Sequence, residues 1–103
     1  MTDRLKDKVA IVTGAGSGMG AAMAKLFTAE GASVVAADLN KDRVDDVVSE
    51  ITSAGGKAVA IKTDVSNESD IQDMFALAKT EYGKLDIVVN NAGIMDNMAP
   101  IGN

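Results

Sequence analysis

A glycine-rich stretch near the N-terminus constrains the fold of this chain more than any other feature. An apolar run, Val-Ala-Ile-Val at residues 9–12, leads into Thr-Gly-Ala-Gly-Ser-Gly-Met-Gly at residues 13–20, and a helix-like run follows. The apolar run is too short for a helix and rich in β-branched residues, which is typical of a buried strand. A strand that turns through glycines into a helix presents free backbone N–H groups that bind anions. The stretch therefore predicts a strand, a tight turn and a helix around an anion site.

Strand-like and helix-like segments alternate along the rest of the chain. Strands are predicted at residues 8–13, 33–38, 57–62 and 85–89. The first helix is predicted from Gly18 to Glu30, and the second lies between an N-cap at Asn40 and the Gly55-Gly56 pair. The third helix follows a cap at Ser66 or Asn67 and ends at Gly83. This alternation predicts an α/β fold of right-handed βαβ units, with a parallel sheet in the strand order 3-2-1-4.

Length and composition indicate an ordinary globular domain. The chain has 103 residues, 47% of them hydrophobic, and we expect one domain spanning residues 1–103. The net charge is −5 and no Lys/Arg cluster is present, so nucleic acid is not an expected partner. Cysteine and histidine are absent, which leaves no disulfide framework and no obvious metal ligands. No apolar run approaches the roughly 20 residues of a membrane span, so we expect a soluble, cytoplasmic protein.

The glycines fit two motif frames. One frame, G-x-G-x-x-A, falls on Gly16, Gly18 and Ala21, and the other, G-x-x-x-G-x-G, falls on Gly14, Gly18 and Gly20. The second frame is favoured because the preceding strand ends just before Gly14. Such a motif predicts a phosphate cradle for the pyrophosphate of a dinucleotide. A flexible strand–helix turn without any ligand is the alternative.

Asp38 stands at the carboxyl end of the second predicted strand, where open parallel sheets bind their ligands. A carboxylate there accepts hydrogen bonds from the ribose hydroxyls of an adenosine and repels a 2′-phosphate. Neither Leu39 nor Ser17 is basic, so no nearby cation is expected to attract that phosphate. These residues favour NAD over NADP. Alternatively, Asp38 only begins the turn before Asn40.

Two further strand ends carry polar residues. The Asp64 carboxylate can accept from an adenine amino group while the Val65 backbone meets the ring edge, or Asp64 can serve only as a turn or capping residue. At residues 90–93, Asn-Asn-Ala-Gly, two amides and two small residues let the chain lie against a flat ligand. The amides could equally brace adjacent strand ends.

Taken together, these motifs resemble the short-chain dehydrogenase/reductase family in its compact form. They are Thr13-Gly14-x-x-x-Gly18-x-Gly20, Asp38, Asp64-Val65 and Asn90-Asn91-Ala92-Gly93. The resemblance implies a Rossmann-like, doubly wound sheet that binds a nicotinamide dinucleotide and passes hydride between it and an alcohol or carbonyl substrate. It also implies cofactor contacts at Gly14, Ser17, Gly18, Met19, Gly20, Asp38, Leu39, Asp64, Val65, Asn91, Ala92 and Gly93. Asn90 would brace the sheet, and a full-length member would be a homo-oligomer.

The catalytic residues of that family have no counterpart in this sequence. Tyr82 is the only tyrosine, and Asp86 rather than a lysine follows four residues later, so it does not match the family's Tyr-x-x-x-Lys pair. We therefore predict no catalytic residue and no metal ligand in the chain. The expectation is an N-terminal fragment that supplies the cofactor-binding half of an NAD-dependent enzyme and is inactive alone. The alternative is a non-catalytic nucleotide-binding or interaction module from a truncated reading frame.

Overall fold

The computed structural model describes residues 5–16 and 18–91. Within these ranges the chain forms four strands and three helices, which alternate along the sequence. The strands are β1 (Val9–Thr13), β2 (Ser33–Asp38), β3 (Lys57–Lys62) and β4 (Ile87–Val89). The helices are α1 (Gly18–Ala29), α2 (Lys41–Ser53) and α3 (Glu68–Tyr82). No helix in the described ranges is long and apolar enough to cross a membrane.

The strands form one parallel sheet in the order β3-β2-β1-β4. The register places Val12 beside Ala36 of β2 on one side and Val89 of β4 on the other. The predicted strand order and parallel pairing are thereby confirmed. Because every strand runs in the same direction, all four carboxyl ends meet at one edge of the sheet, which is where the polar motifs of the sequence stand.

The core has two halves, one on each face of the sheet. Ala10 and Val12 of β1 belong to a buried cluster with α1 and α2, and Val9 and Ile11 belong to a second cluster with α3. Both faces of β1 are thus covered, and every residue of the strand is buried. Continuous apolar runs are typical of such doubly covered parallel strands. The structure confirms the doubly wound, Rossmann-like α/β fold.

Polar caps set the ends of the helices. The Asn40 side chain accepts from the Arg43 N–H at 3.1 Å at the start of α2, as predicted. The Asn67 side chain accepts from the Asp70 N–H at 3.2 Å, so Asn67 is the cap of α3 and Ser66 is not. Gly83 ends α3 in the left-handed conformation, with φ of 83°, and its N–H donates to the Lys79 carbonyl. Glycine reaches this conformation without strain.

Strand β4 begins two residues later than the sequence suggested, because Asp86 pairs differently from a strand residue. Its N–H donates to the Val9 carbonyl at 2.9 Å, and its side-chain Oδ2 accepts from the Val9 N–H at 2.9 Å. A side chain thus takes the place of a backbone hydrogen-bond partner at the amino end of β1. The Val9 hydrogen bond, with a smaller contribution from Lys84, lowers the pKa of Asp86 against the opposing effect of burial.

We predict that Asp86→Asn weakens the dependence of the free energy of unfolding on pH in the acid range. An aspartate whose pKa is lowered by folding stabilises the protein above its unfolded pKa of about 3.9, and this stabilisation is lost as the pH falls through the folded value. The urea midpoint of the variant should therefore lie below that of the parent at pH 7, and the gap should close in strong acid. Asp73→Asn, on the exposed face of α3, is the control. An equal gap at both pH values would contradict the prediction.

Candidate cofactor-binding site

The glycine turn between β1 and α1 has a backbone that side chains would disrupt. Gly14 and Gly18 have φ of 66° and 59°, in the left-handed region that favours glycine. A methyl group on Gly20 would overlap the Gly14 carbonyl, so the first turn of α1 lies directly against the strand–helix turn. All three glycines of the favoured frame therefore have a backbone reason to be glycine. The helix N-terminus is consequently held close to the end of β1.

A second contact joins the glycine turn to the end of β2. The Gly16 N–H donates to Asp38 Oδ2 at 2.8 Å, and the other carboxylate oxygen accepts from the Asn40 N–H at 2.8 Å. A methyl group on Gly16 would lie 2.9 Å from the Asp38 carboxyl and 3.0 Å from Cβ of Arg43. Asp38 therefore begins the turn before α2 and also faces the glycine turn. The turn interpretation of Asp38 is thereby confirmed, while its contact with a ribose stays a prediction.

A cleft of about 200 Å³ opens between the carboxyl ends of β1, β2 and β3. Its lining residues are Thr13, Gly14, Ala37, Asp38, Leu39, Thr63, Asp64 and Val65. Five of the residues predicted from the sequence, which are separated by up to 51 positions, thus meet in one place. A larger cleft of about 580 Å³ lies between the C-terminal ends of α1 and α2, at the opposite edge of the sheet. It is lined by none of those predicted residues.

Asp64 is held in a turn that leads into α3. Its Oδ1 accepts from the Ser66 hydroxyl at 2.6 Å and from the Ser66 N–H at 2.9 Å, while its own N–H donates to Asp70 Oδ2 at 3.0 Å. The hydrogen bonds from Ser66, the hydroxyl first, lower the pKa of Asp64 against a weaker effect of desolvation. Asp64 is thus a turn residue whose carboxylate, charged at neutral pH, also lines the cleft.

The Thr13 hydroxyl connects the ends of β1 and β4. It accepts from the Asn91 N–H at 2.8 Å and can donate to Asn90 Oδ1 at 3.1 Å or to the Val89 carbonyl at 3.3 Å. This contact confirms that Asn90 braces the sheet. The Asn91 side chain also lies beside the first turn of α1, because a methyl group on Gly20 would lie 2.9 Å from its Nδ2.

The remaining predicted residues lie at the start of α1 or outside the described ranges. Gly18, Met19 and Gly20 form the beginning of α1, and the Met19 side chain is 69% exposed. Leu39, which is 60% exposed, stands at the rim of the cleft. Ser17, Ala92 and Gly93 lie outside the residues that the structure describes.

Four residues near the cleft were not assigned a role from the sequence: Thr13, Gly16, Arg43 and Thr63. Thr13 and Thr63 share a signal, since each is a polar residue at the carboxyl end of a predicted strand and directly precedes Gly14 or Asp64. Arg43 gives no such signal, because its position depends on the direction in which α2 leaves β2. Only Cβ of Arg43 is placed beside Gly16, so the expectation that no cation lies near Asp38 stays a prediction.

Tyr82 lies far from this site. It ends α3 at the other edge of the sheet and contacts the core cluster of that face. Burial, with a smaller effect of Glu81, raises the pKa of its phenol. A tyrosine that acts as a general base near neutral pH needs the opposite shift. That Tyr82 has no catalytic role stays a prediction from the sequence.

The arrangement resembles that of nucleotide-binding α/β sheets, in which a glycine turn and a helix N-terminus follow the first strand and an acidic residue follows the second. The sequence pattern of the short chain dehydrogenase family matches residues 8–102. The chain belongs to this family.

Relatives of known activity are oxidoreductases. The chain is 42% identical over 97 residues to 3beta-hydroxysteroid dehydrogenase 2 of Eggerthella lenta, covering 94% of this chain and 37% of the relative. It is 46% identical over 90 residues to 7alpha-hydroxysteroid dehydrogenase of Escherichia coli, covering 87% of this chain and 35% of the relative. The chain thus spans a little over a third of the length of the curated relatives it matches.

Solved structures share the fold as well as the sequence. A hydroxysteroid dehydrogenase from Escherichia coli matches with a TM-score of 0.85 at 46% identity, covering 87% of this chain and 38% of that one. A short-chain dehydrogenase/reductase from Serratia marcescens matches with a TM-score of 0.84 at 42% identity, covering 88% and 38%. The sheet and helices described above are therefore those of this family.

We predict that Thr13→Val destabilises the chain by about 1–3 kcal/mol, because the change leaves the Asn91 N–H without its acceptor in a half-buried position. Thr13→Ser keeps the hydroxyl, so its free energy of unfolding should fall clearly less than that of Thr13→Val. Urea unfolding followed by far-UV circular dichroism measures both free energies. Equal losses in the two variants would show that the hydroxyl bond does not hold β4 against β1.

Proposed function

We propose that this chain is the NAD-binding domain of an oxidoreductase that moves hydride between the cofactor and an alcohol or carbonyl substrate. The observation that carries the proposal is the arrangement around Asp38: its carboxylate lines the cleft and is fixed by the N–H groups of Gly16 and Asn40. The anionic group is therefore already in place before any ligand arrives. Family membership supports the reaction type, and the whole protein's activity is part of the proposal.

In this proposal Asp38 receives the ribose of the adenosine half. A carboxylate offers about four acceptor positions, and the two N–H bonds occupy one on each oxygen. The remaining positions can accept from two neighbouring ribose hydroxyls. A 2′-phosphate on that ribose would place two anions within a few ångströms, which is unfavourable. This balance favours NAD over NADP.

The adenine ring would occupy the cleft beyond the ribose. At about 200 Å³ the cleft is smaller than the roughly 300–1,000 Å³ of a site that encloses a drug-sized ligand, so it suits one ring system rather than a whole dinucleotide. Asp64 Oδ2 can accept from the adenine amino group, and the exposed Leu39 side chain can cover the ring. The Val65 backbone would meet the ring edge.

The pyrophosphate would lie at the start of α1. Gly20 packs against the Gly14 carbonyl and so holds the first turn of α1 beside the end of β1, and the free N–H groups at a helix start bind phosphate. Gly14, Ser17, Gly18 and Met19 would surround it. Asn91, Ala92 and Gly93 would continue along the cofactor, whose nicotinamide ring supplies the hydride chemistry when bound.

We predict that the chain binds NAD more tightly than NADP and that Asp38→Asn narrows this difference. Asparagine keeps an acceptor oxygen but removes the charge that repels the 2′-phosphate, so NAD affinity should fall while NADP affinity stays or rises. Titration calorimetry with both nucleotides measures the ratio of dissociation constants. Asp42→Asn, in the first turn of α2 and exposed, is the matched control. An unchanged ratio in Asp38→Asn would contradict the assignment of Asp38.

We predict that the chain of 103 residues does not reduce NAD with secondary alcohols, because its sequence lacks a Tyr-x-x-x-Lys pair. The measurement is the absorbance of reduced nicotinamide on incubation with NAD and a hydroxysteroid. The 7alpha-hydroxysteroid dehydrogenase of Escherichia coli serves as the positive control. Turnover by a preparation free of longer enzyme would show that the chain contains catalytic groups of its own.

A further inference from the structure

Thr63 carries a polar group for which the described residues provide no partner. The residue follows β3 directly and is 2% exposed. Its backbone N–H donates to the Asp38 carbonyl at 3.0 Å, which fixes its position beside the end of β2. Its hydroxyl, closed to solvent, makes no hydrogen bond within residues 5–16 and 18–91. Buried hydroxyls are nearly always hydrogen bonded, so this exception asks for an explanation.

The position of Thr63 links the unpaired hydroxyl to the cleft. Thr63 is one of the residues that line it, between Asp38 on the ribose side and Asp64 on the adenine side. Rotation about the Cα–Cβ bond moves a threonine hydroxyl between staggered positions about 120° apart. Such a rotation is the movement by which the hydroxyl would meet a hydrogen-bonding group in the cleft, with the backbone unchanged.

We propose that the Thr63 hydroxyl is a further cofactor-binding group, which donates a hydrogen bond to a ring nitrogen of the adenine held in this cleft; this inference rests on the proposed function above. The neighbouring Asp64 carboxylate can only accept, so it takes the adenine amino group. The ring nitrogens of adenine only accept, so they need a donor. Thr63 supplies that donor, and the binding of adenine satisfies the buried hydroxyl.

This assignment has a consequence for stability that separates it from a structural role. A hydroxyl that supports the fold destabilises the protein when it is removed. An unpaired buried hydroxyl that waits for a ligand does not, because its replacement by a methyl group removes a polar atom that the fold leaves unsatisfied. Loss of the hydroxyl should therefore weaken binding while the unliganded protein keeps or gains stability.

The experiment compares two independent deletions of the hydroxyl in the 103-residue chain. The first comparison, Thr63→Val with the parent, replaces the hydroxyl by a methyl group. The second, Thr63→Ala with Thr63→Ser, removes the same oxygen from a smaller side chain. Thr52→Val, on α2 and away from the cleft, is the control for a threonine-to-valine change. Melting curves without ligand report stability, and calorimetry with NAD, AMP and nicotinamide mononucleotide reports binding.

We expect Thr63→Val to melt at the same or a higher temperature than the parent and to bind NAD and AMP about 2–10-fold more weakly, the range of one ordinary hydrogen bond. Thr63→Ser should bind like the parent, and Thr63→Ala should bind more weakly than Thr63→Ser by a similar factor. Nicotinamide mononucleotide, which lacks adenine, should bind equally to the variants of each pair.

Three results would overturn the inference, and they are distinguishable. If the parent binds NAD and AMP and both hydroxyl-free variants bind them equally well, Thr63 is not a cofactor-binding group while the proposed function stands. If the affinity for nicotinamide mononucleotide falls by the same factor, the hydroxyl does not act at the adenine end. If the parent binds neither NAD nor AMP, the proposed function itself is wrong and this inference is wrong with it.

Discussion

The structure depends on the pairing of β1 with strands on both sides. Every residue of β1 is buried, β2 pairs along its whole length, and the short β4 pairs with its middle. Three ladder residues are a weak attachment for β4, and two side-chain contacts reinforce it at opposite ends. Asp86 binds the backbone of Val9 at the amino end of β1, and the Thr13 hydroxyl binds the backbone of Asn91 at the carboxyl end of β1. The contact with Thr13 also holds Asn91 beside the first turn of α1.

The groups around the cleft are connected to one another before any ligand is bound. Asp38 is held by the N–H of Gly16, and Asp64 is held by Ser66. Such fixed carboxylates lose little conformational freedom when they receive a ligand, which is the advantage of a preorganised site. The glycines serve the same end, since Gly16 and Gly20 leave room for neighbouring groups that a methyl would displace.

The sequence alone predicts the fold well because the relevant signals are local. Apolar runs of strand length, asparagine caps and glycine stops mark each element, and alternation of the elements restricts the topology to parallel βαβ units. The contacts that adjust the site are less visible. That Asp86 would replace a ladder partner, that Gly16 would face Asp38 and that Arg43 would stand beside Gly16 all depend on the three-dimensional path of the chain. Thr63 is an intermediate case. Its position directly before Asp64 can be read from the sequence, but the missing hydrogen-bond partner of its hydroxyl cannot.

If an acidic cleft is to bind an anionic dinucleotide, the phosphates of the ligand must lie away from the carboxylates of the cleft. The chain has a net charge of −5, and two carboxylates, those of Asp38 and Asp64, line the proposed adenosine pocket. The groups that would meet them are hydroxyl and amino donors, for which a carboxylate is the strongest acceptor. The phosphates would instead meet the N–H groups at the start of α1, where the helix dipole favours negative charge. In the proposed site, the arrangement that would accept the two phosphates of NAD would give a third phosphate, placed on the ribose beside Asp38, no comparable partner. Discrimination between the nucleotides would thus follow from where the carboxylates stand rather than from the overall charge of the protein.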